Sequence, residues 1–470
     1  MSLPAIIDLT QYYVSLLRPI FAGRKYIYVA EIDAIAVRAE NEMAALGVED
    51  MLFLVGNKGT STYSIPPDLR IYSLNTTGVN MVKAAQRFEQ AITDLPNEVE
   101  IQIDDWDRKR TARWITPAML REFEIISGRK KYGRRKPSWV AFEDKTTIDS
   151  FWKSLGVNYP SSQVINLRDP NIKRVNNSLD KGEGTVWSAD NRDGNHGGTI
   201  GVRRVTSEAD FISVQKELKK MANKVRISSF TEGIPLSIHG INFEDTTIAF
   251  RPIELITLRY RDSCEFLWGG CSSTFDPPLK DREYMQELAY TTGRALNREV
   301  GYLGPFSIDG ILSESGFVPT ELNCRLSGGF STLTNGLTNF PLAPLCWTVM
   351  ENEKLDYQAR KLGTALLDWA DSNRFCGGRV ITNKSFDTVN QLLLTRDGSE
   401  FREVRDKETP TATLTYGPSP MGGIVFFQSL IDEDQQNQPT APEVVRAIRF
   451  ADATIDTDFG PLECATPTHN

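Results

Sequence analysis

Histidine is nearly missing from this chain: 470 residues carry three, His196, His239 and His469. That leaves almost no room for a His-rich metal centre, and few candidates for the base of a Ser-His-Asp triad. The six cysteines (Cys264, Cys271, Cys324, Cys346, Cys376, Cys464) lie far apart, with no C-x-x-C pair among them. Such spacing argues for reduced thiols in a large intracellular chain and against a disulfide framework or a zinc site. No apolar run approaches the roughly 18 residues of a membrane span. The opening Met-Ser-Leu-Pro-Ala-Ile-Ile-Asp lacks the basic and apolar regions of a secretory leader. Positive charge is also short: 53 Lys and Arg against 61 Asp and Glu leave a net −8, which argues against nucleic acid as the main partner. The expectation is a soluble, cytoplasmic protein. With so little histidine, any metal must be held by carboxylate and amide oxygens, which suits Mg²⁺ beside a phosphate substrate.

What is present is globular. Hydrophobic residues make up 40% of the chain, enough for sizeable cores, and the length suits about three domains at roughly 100–200 residues each. The first third alternates strand and helix. Tyr26–Ile32 is a strand-forming run, Ile35, Ala39, Met43 and Leu46 make a helical stripe ending at Gly47, and Met51–Val55 is a second apolar strand. That β-α-β opening predicts a parallel sheet. No G-x-G-x-x-G stands at its first turn, so the dinucleotide fingerprint is missing. The most basic stretch, Gly128–Pro137, reads as an exposed loop between domains, with contact to an anionic ligand as the alternative. Further helices are predicted around Ile148–Leu155, Phe211–Met221 and Asp281–Asn297, and strands at Val225–Phe230 and Thr247–Leu258. The polar run Asp432–Pro442 reads as a surface loop, and there is no internal repeat.

The segment from Gly301 to Arg325 carries the most chemistry. It reads as a hairpin of strand Phe306–Ser313, loop Glu314-Ser315-Gly316 and strand Phe317–Asn323. In that register Ser313 faces Phe317, Ile311 faces Pro319 and Asp309 faces Glu321, with Asn323 two residues further along the same face. Opposed carboxylates repel unless a cation lies between them. Asp309, Glu321 and Asn323 form an all-oxygen set suited to Mg²⁺. Pattern alone leaves this level with an exposed acidic hairpin face screened by water.

Asp-x11-Glu-x-Asn followed by Arg, after a Gly-x-x-Gly-x-Phe approach, resembles the metal hairpin of the ATP-grasp superfamily, which includes D-alanine–D-alanine ligases and biotin carboxylases. Phe142-Glu-Asp-Lys145, the helix at Ile148 and Gly156-Val-Asn-Tyr-Pro160 resemble the family's passage to its first nucleotide lysine, matched here by Lys145. Asp193-Gly-Asn-His-Gly-Gly-Thr-Ile-Gly201 resembles the glycine-rich loop over the triphosphate. Gly194, Gly197 and Gly198 would let backbone N–H groups approach phosphate oxygens, and His196 is either a phosphate contact or a solvent-facing loop residue. Ser228-Ser-Phe-Thr-Glu-Gly233 resembles the inter-lobe hinge, with Ser229 and Phe230 near the adenine and Glu232 as the ribose carboxylate. His239 is equally readable as a core histidine. The chain departs from the pattern at Trp187, where the family's second lysine is expected. Val-Trp-x-x-Asp-Asn, Phe250-Arg-Pro-Ile-Glu254 and Pro319-Thr-Glu-Leu-Asn323 resemble a narrower group, the pheganomycin-type peptide ligases, over roughly residues 20–430.

The resemblance implies an α/β and α+β chain with four parts. These are a Rossmann-like pre-ATP-grasp domain (1–120), a small lobe with the glycine-rich loop (121–226), a large lobe with the metal hairpin (227–345) and a mixed C-terminal extension (346–470). It also implies ATP and Mg²⁺ as cofactors and an ADP-forming ligase that joins a small carboxylic acid, an amino acid or peptide, to an amine through an acyl phosphate. Arg325 and Arg259 are the expected catalytic cations; Arg259, like Arg251, reads equally as an ordinary ion-pair former. A homodimer is compatible with the resemblance, since dimers are common among such ligases. The alternatives are an ATP-grasp enzyme with another acceptor, such as a carboxylase, or a nucleotide-binding regulator without turnover.

Overall fold

The computed structural model describes residues 3–57, 66–76, 81–117, 120, 122–192, 197–419, 422–430 and 437–465. Strands Lys25–Ile32, Asp50–Asn57, Arg70–Ser73 and Arg113–Ile115 form an all-parallel sheet in the order third, second, first, fourth. Helix Asp33–Ala45 connects the first two strands, as the β-α-β pattern predicts, and buries Ala36, Ala39 and Met43. Ile35, expected on that buried stripe, is instead 37% exposed. A helix that periodicity had not flagged, Leu3–Phe21, buries Leu9, Tyr13, Leu17 and Phe21 at four-residue spacing. That face packs against helices Leu342–Met350 and Ala359–Ser372.

The second sheet is antiparallel, in the order Ser162–Asn166, Lys224–Ser229, Thr185–Ala189, Val202–Val205. Helices Ile172–Leu179 and Glu208–Leu218 cover one of its faces, and Trp187, Val225 and Ile227 join Val175, Phe211 and Leu218 in the core between them. The second helix starts at a capping box in which Ser207 and Asp210 satisfy each other's backbone N–H.

The third sheet runs Phe266–Ser272, Ile253–Tyr260, Ile234–Asn242, Gly304–Ser313, Gly316–Asn323, with two short strands at its flanks. Helix Leu279–Val300 lays Met285, Leu288, Ala289 and Leu296 into the core it shares with Leu236, Ile308 and Leu312. The strand expected over Thr247–Leu258 is two strands, Thr247–Ala249 and Ile253–Tyr260. The break at Phe250-Arg251-Pro252 follows from Pro252, which has no N–H to give a ladder.

The fourth sheet, Gly377–Thr382, Gly422–Ser429, Ala412–Ser419, Asn390–Asp397, Glu400–Glu403, is antiparallel. Helix Ala441–Ile455 joins it to Ile256 and Leu258 of the third sheet in one core, and strand Leu462–Glu463 returns to pair with Ile253–Tyr260. The expected divisions at 226/227 and 345/346 therefore need shifting, because they cut strand Lys224–Ser229 and helix Leu342–Met350. Residues 432–436 of the predicted polar loop lie outside the described residues. Among the described residues no helix is long and apolar enough to cross a membrane.

Candidate functional site

All four sheets reach one cleft of about 870 Å³. Its floor is the hairpin. Asp309 pairs with Glu321, as predicted, but by a different route. The tip is a residue tighter than expected, pairing Ser313 with Gly316 and Gly310 with Pro319. A bulge at Thr320, whose hydroxyl donates to the Asp309 carbonyl oxygen at 3.2 Å, then restores the register. Without that extra residue Glu321 would fall on the opposite face.

Asp309 accepts from Ser237 Oγ at 2.6 Å on one oxygen and from Asn323 Nδ2 at 2.9 Å on the other. Burial, and next the Glu321 carboxylate beside it, hold the Asp309 carboxyl well above the usual carboxylate range. Asn323 Oδ1 is buried with no donor among the described residues. A buried amide oxygen without a partner, next to two carboxylates, is the donor set of a hard cation, and Mg²⁺ fits it. Among the described residues no group of three or more His, Cys, Asp and Glu is placed to hold a metal, so a cation here would also draw on the amide oxygen and on oxygens of a ligand.

The cations stand around this floor. Lys145 Nζ lies 3.0 Å from Glu321 Oε1 and lines the cleft. Arg325 is ion-paired with Glu143, whose other oxygen accepts from Arg135 Nη1 at 2.7 Å. Arg135 also meets Glu122 at 2.8 Å, and Glu122 meets Lys131 at 2.6 Å. This chain of alternating charge corrects the exposed-loop reading of Gly128–Pro137. Arg129, Lys131, Tyr132 and Arg135 are buried, and Lys131 and Arg135 line the cleft. Removing one member of such a network would strand a buried charge, so each fixes the next.

His239 is buried, as the core reading expects. Burial pushes its imidazole down to about 3, keeping it neutral. Its Nε2 lies 2.8 Å from Ser327 Oγ, its Nδ1 lies 3.4 Å from Ser237 Oγ, and its ring packs edge-on against Phe330. Since Ser237 spends its proton on Asp309, the consistent tautomer carries hydrogen on Nδ1 and accepts at Nε2 from Ser327. The polar chain ties the Ser327-Gly328-Gly329 turn to the floor.

Gly197, Gly198, Ser229 and Phe230 line the cleft with Lys145, Asp309, Glu321, Asn323 and Arg325, so nine of the expected residues converge. A Cβ on Gly197 would sit 3.9 Å from Arg325 Nη2, which puts that end of the loop over the guanidinium. The N–H groups of Ser229 and Phe230 are committed to Ser161 O and Gly184 O. Gly194 and His196 lie outside the described residues.

Two expectations fail. Arg259 and Glu232 do not line the cleft. They pair with each other at 2.6 Å, and Arg259 is further held by Glu463 at 3.2 Å and by the Cys464 carbonyl oxygen, so it ties the C-terminal strand to the hinge. Trp187 does not occupy a lysine's place at the phosphates. Strand alternation points Val186 and Ser188 into the cleft and Trp187 away from it, where its Nε1 donates to Asn176 Oδ1 at 2.9 Å. A cation beside that strand that does line the cleft is Arg226, paired in register with Ser188 and held by Asp149 at 2.9 Å.

Glu143, Glu122, Ser237, Arg226 and Arg379 were not anticipated as site residues, and Lys131 and Arg135 were covered only by the alternative reading of the basic run. Glu143 stands beside Lys145 in the quoted motif, and its place before a short amphipathic helix was the one local signal. The rest depend on contacts between distant elements.

No protein-family model matches this chain, and no curated protein does. Solved structures do. N5-carboxyaminoimidazole synthase from Aspergillus clavatus, solved with ADP and 5-aminoimidazole ribonucleotide, superposes with a TM-score of 0.52 at 12% identity, over 90% of this chain and 98% of that one. The biotin carboxylase domain of Hydrogenobacter thermophilus 2-oxoglutarate carboxylase, solved with MgADP, ADP and bicarbonate, gives 0.51 at 14% identity, over 94% and 91%. At these identities the likeness is one of fold: an N-terminal parallel-sheet domain, the two-lobed ATP-grasp body and a C-terminal sheet.

Proposed function

We propose that this chain is an ATP-dependent carboxylate–amine ligase that forms an amide through an acyl phosphate, releasing ADP and phosphate. The observation that carries the reading is the bulged hairpin. It sets Asp309, Glu321 and the donor-free Asn323 Oδ1 together, between Lys145 and Arg325, in a cleft that draws walls from all four sheets. A shared fold with ADP-bound enzymes supports it.

In this reading the substrate carboxylate oxygen attacks the γ-phosphorus of ATP, the bond from the β,γ-bridging oxygen to that phosphorus breaks, and ADP leaves. The amine nitrogen then attacks the acyl carbon, loses a proton to solvent, and phosphate departs. Asp309, Glu321 and Asn323 are the residues that would hold Mg²⁺, which when bound neutralises triphosphate charge. Lys145 approaches the nucleotide phosphates, and Gly197 and Gly198 close over them. Arg325, aimed by Glu143, holds the acyl phosphate with its planar fork. Its partner is buried and already oriented, so little reorganisation is needed as charge develops. Amino-acid or peptide substrates follow from the motif resemblance to pheganomycin-type ligases.

The test is ADP release from Mg·ATP with pooled amino acids and hydroxylamine, which traps acyl phosphates as hydroxamates. The expected outcome is ADP plus a hydroxamate whose mass names the acid, both lost in E321Q. AMP and pyrophosphate, or ADP release that E321Q leaves intact, would overturn the reading.

A further inference from the structure

The fourth sheet brings a cation to the cleft that the chemistry above does not use. Arg379, on strand Gly377–Thr382, lines the main cleft and also a side pocket of about 190 Å³ opening from it. Its side chain is exposed and has no carboxylate partner among the described residues. The guanidinium lies 5.1 Å from the centre of the Trp268 ring, an arrangement that fixes an arginine's plane without spending its N–H donors.

Glycine makes this approach possible. A Cβ on Gly378 would lie 2.6 Å from the Gly269 carbonyl oxygen, and one on Gly270 would lie 3.1 Å from the Arg379 nitrogen. One glycine on each strand, Gly270 and Gly378, lets the two sheets meet closely enough to lay Arg379 over Trp268. On the other side, a Cβ on Gly328 would sit 3.8 Å from Arg379 Nη2. Gly328 is three residues beyond Arg325, and both arginines line the same cleft. The side pocket beneath it is walled by Trp268, Phe375 and Phe426, with Cys271 and Ser331 at its sides.

We propose that Arg379 and this side pocket form the subsite of the amine substrate, with the guanidinium holding a free carboxylate and the aromatic walls taking an apolar side chain. The class of acceptor is thus an α-amino acid, or a peptide whose terminal residue is apolar, not a simple amine. The inference rests on the ligase reading for the word acceptor alone; the subsite itself is a statement about binding. A carboxylate offered to an unpaired, pre-oriented arginine gains a two-pronged charge-assisted bond that a carboxamide cannot match.

The test is calorimetric, on the full chain loaded with Mg²⁺ and a non-hydrolysable ATP analogue. L-Leucine and L-phenylalanine are titrated against their carboxamides and against glycine. We expect at least one of the two acids to bind about tenfold or more tightly than its carboxamide. In R379Q, checked for an unchanged melting temperature, that preference disappears, and R379K restores part of it. S331F, which fills the side pocket from an exposed position, lowers the ratio of phenylalanine to glycine affinity by a similar factor. Absence of binding by both acids, equal affinity for acid and carboxamide, or a preference that survives R379Q would each overturn the subsite. Failure of the hydroxamate test with the carboxylate preference intact would remove the ligase reading and leave the subsite standing.

Discussion

At the scale of single residues, the account turns on buried charges that hold one another. Glu143 is the hinge of that set, with one oxygen on Arg135 and the other on Arg325. E143Q leaves two sheltered guanidiniums short of a counter-charge, and it should cost about 3 kcal/mol in urea denaturation while lowering ligation sharply. Full activity in E143Q would show that Arg325 is aimed by something else. His239 gives a second prediction. Its folded value of about 3 lies below the ordinary 6.5, so the unfolded chain binds the proton more tightly. Its stabilising contribution is complete above pH 6.5 and is lost as pH falls from there toward 3, by about 1.4 kcal/mol per unit. With three histidines in the chain the imidazole C2–H signals are easily separated. The one assigned to His239 by H239Q should stay fixed between pH 8 and 5; a midpoint near 6.5 would contradict its burial. Lys145, Asp309, Glu321, Asn323 and Arg325 were legible because the motif is local and dense. Arg259 takes the ion-pair reading that its sequence left open beside the catalytic one, and Glu232 is its partner, because the partners of such isolated charges come from elsewhere in the chain.

At the scale of elements, the hairpin shows how a correct pairing can come from an incorrect geometry. The three-residue loop expected from Gly316 and a regular ladder would reach the Asp309–Glu321 pair; so do a tighter tip and the Thr320 bulge together. Bulges leave little trace in sequence, because they depend on how the partner strand is held. Gly310 stands at this irregularity, where a Cβ would collide with the Val318 carbonyl oxygen and the Phe317 ring. G310A should therefore cost about 1–3 kcal/mol and weaken Mg²⁺-dependent ADP binding, measured by calorimetry, by about tenfold. Unaltered ADP affinity in G310A would separate the bulge from the metal site. Trp187 was matched to the second lysine's position without its facing being known, for a related reason. The motif fixed the strand, but only the register against Lys224–Ser229 tells which side of it faces the cleft. The helix Leu3–Phe21 escaped because its buried face, Leu9, Tyr13, Leu17 and Phe21, mixes aromatic and aliphatic residues ahead of the first strand read.

At the scale of the whole molecule, the C-terminal part is woven into the third sheet. The Glu254 carboxylate accepts from the N–H groups of Thr440 and Ala441 at 2.6 and 3.0 Å, anchoring helix Ala441–Ile455 by its N-terminus. Val444, Val445, Ile448 and Leu462 share a core with Ile256 and Leu258 of the hinge-side strand. Truncation after residue 436 should thus expose the third sheet and yield aggregated protein, since each such side chain contributes about 1.5–3 kcal/mol. A soluble, ATP-binding truncation would contradict that coupling. The central claim, however, is chemical. With the acid identified from its hydroxamate, the decisive measurement is ligation of the same acid labelled with ¹⁸O in both carboxylate oxygens. The account predicts one ¹⁸O in each released phosphate, alongside ADP, because the acid's own oxygen bridges to phosphorus in the acyl phosphate. Label in AMP, or phosphate free of ¹⁸O, would contradict it.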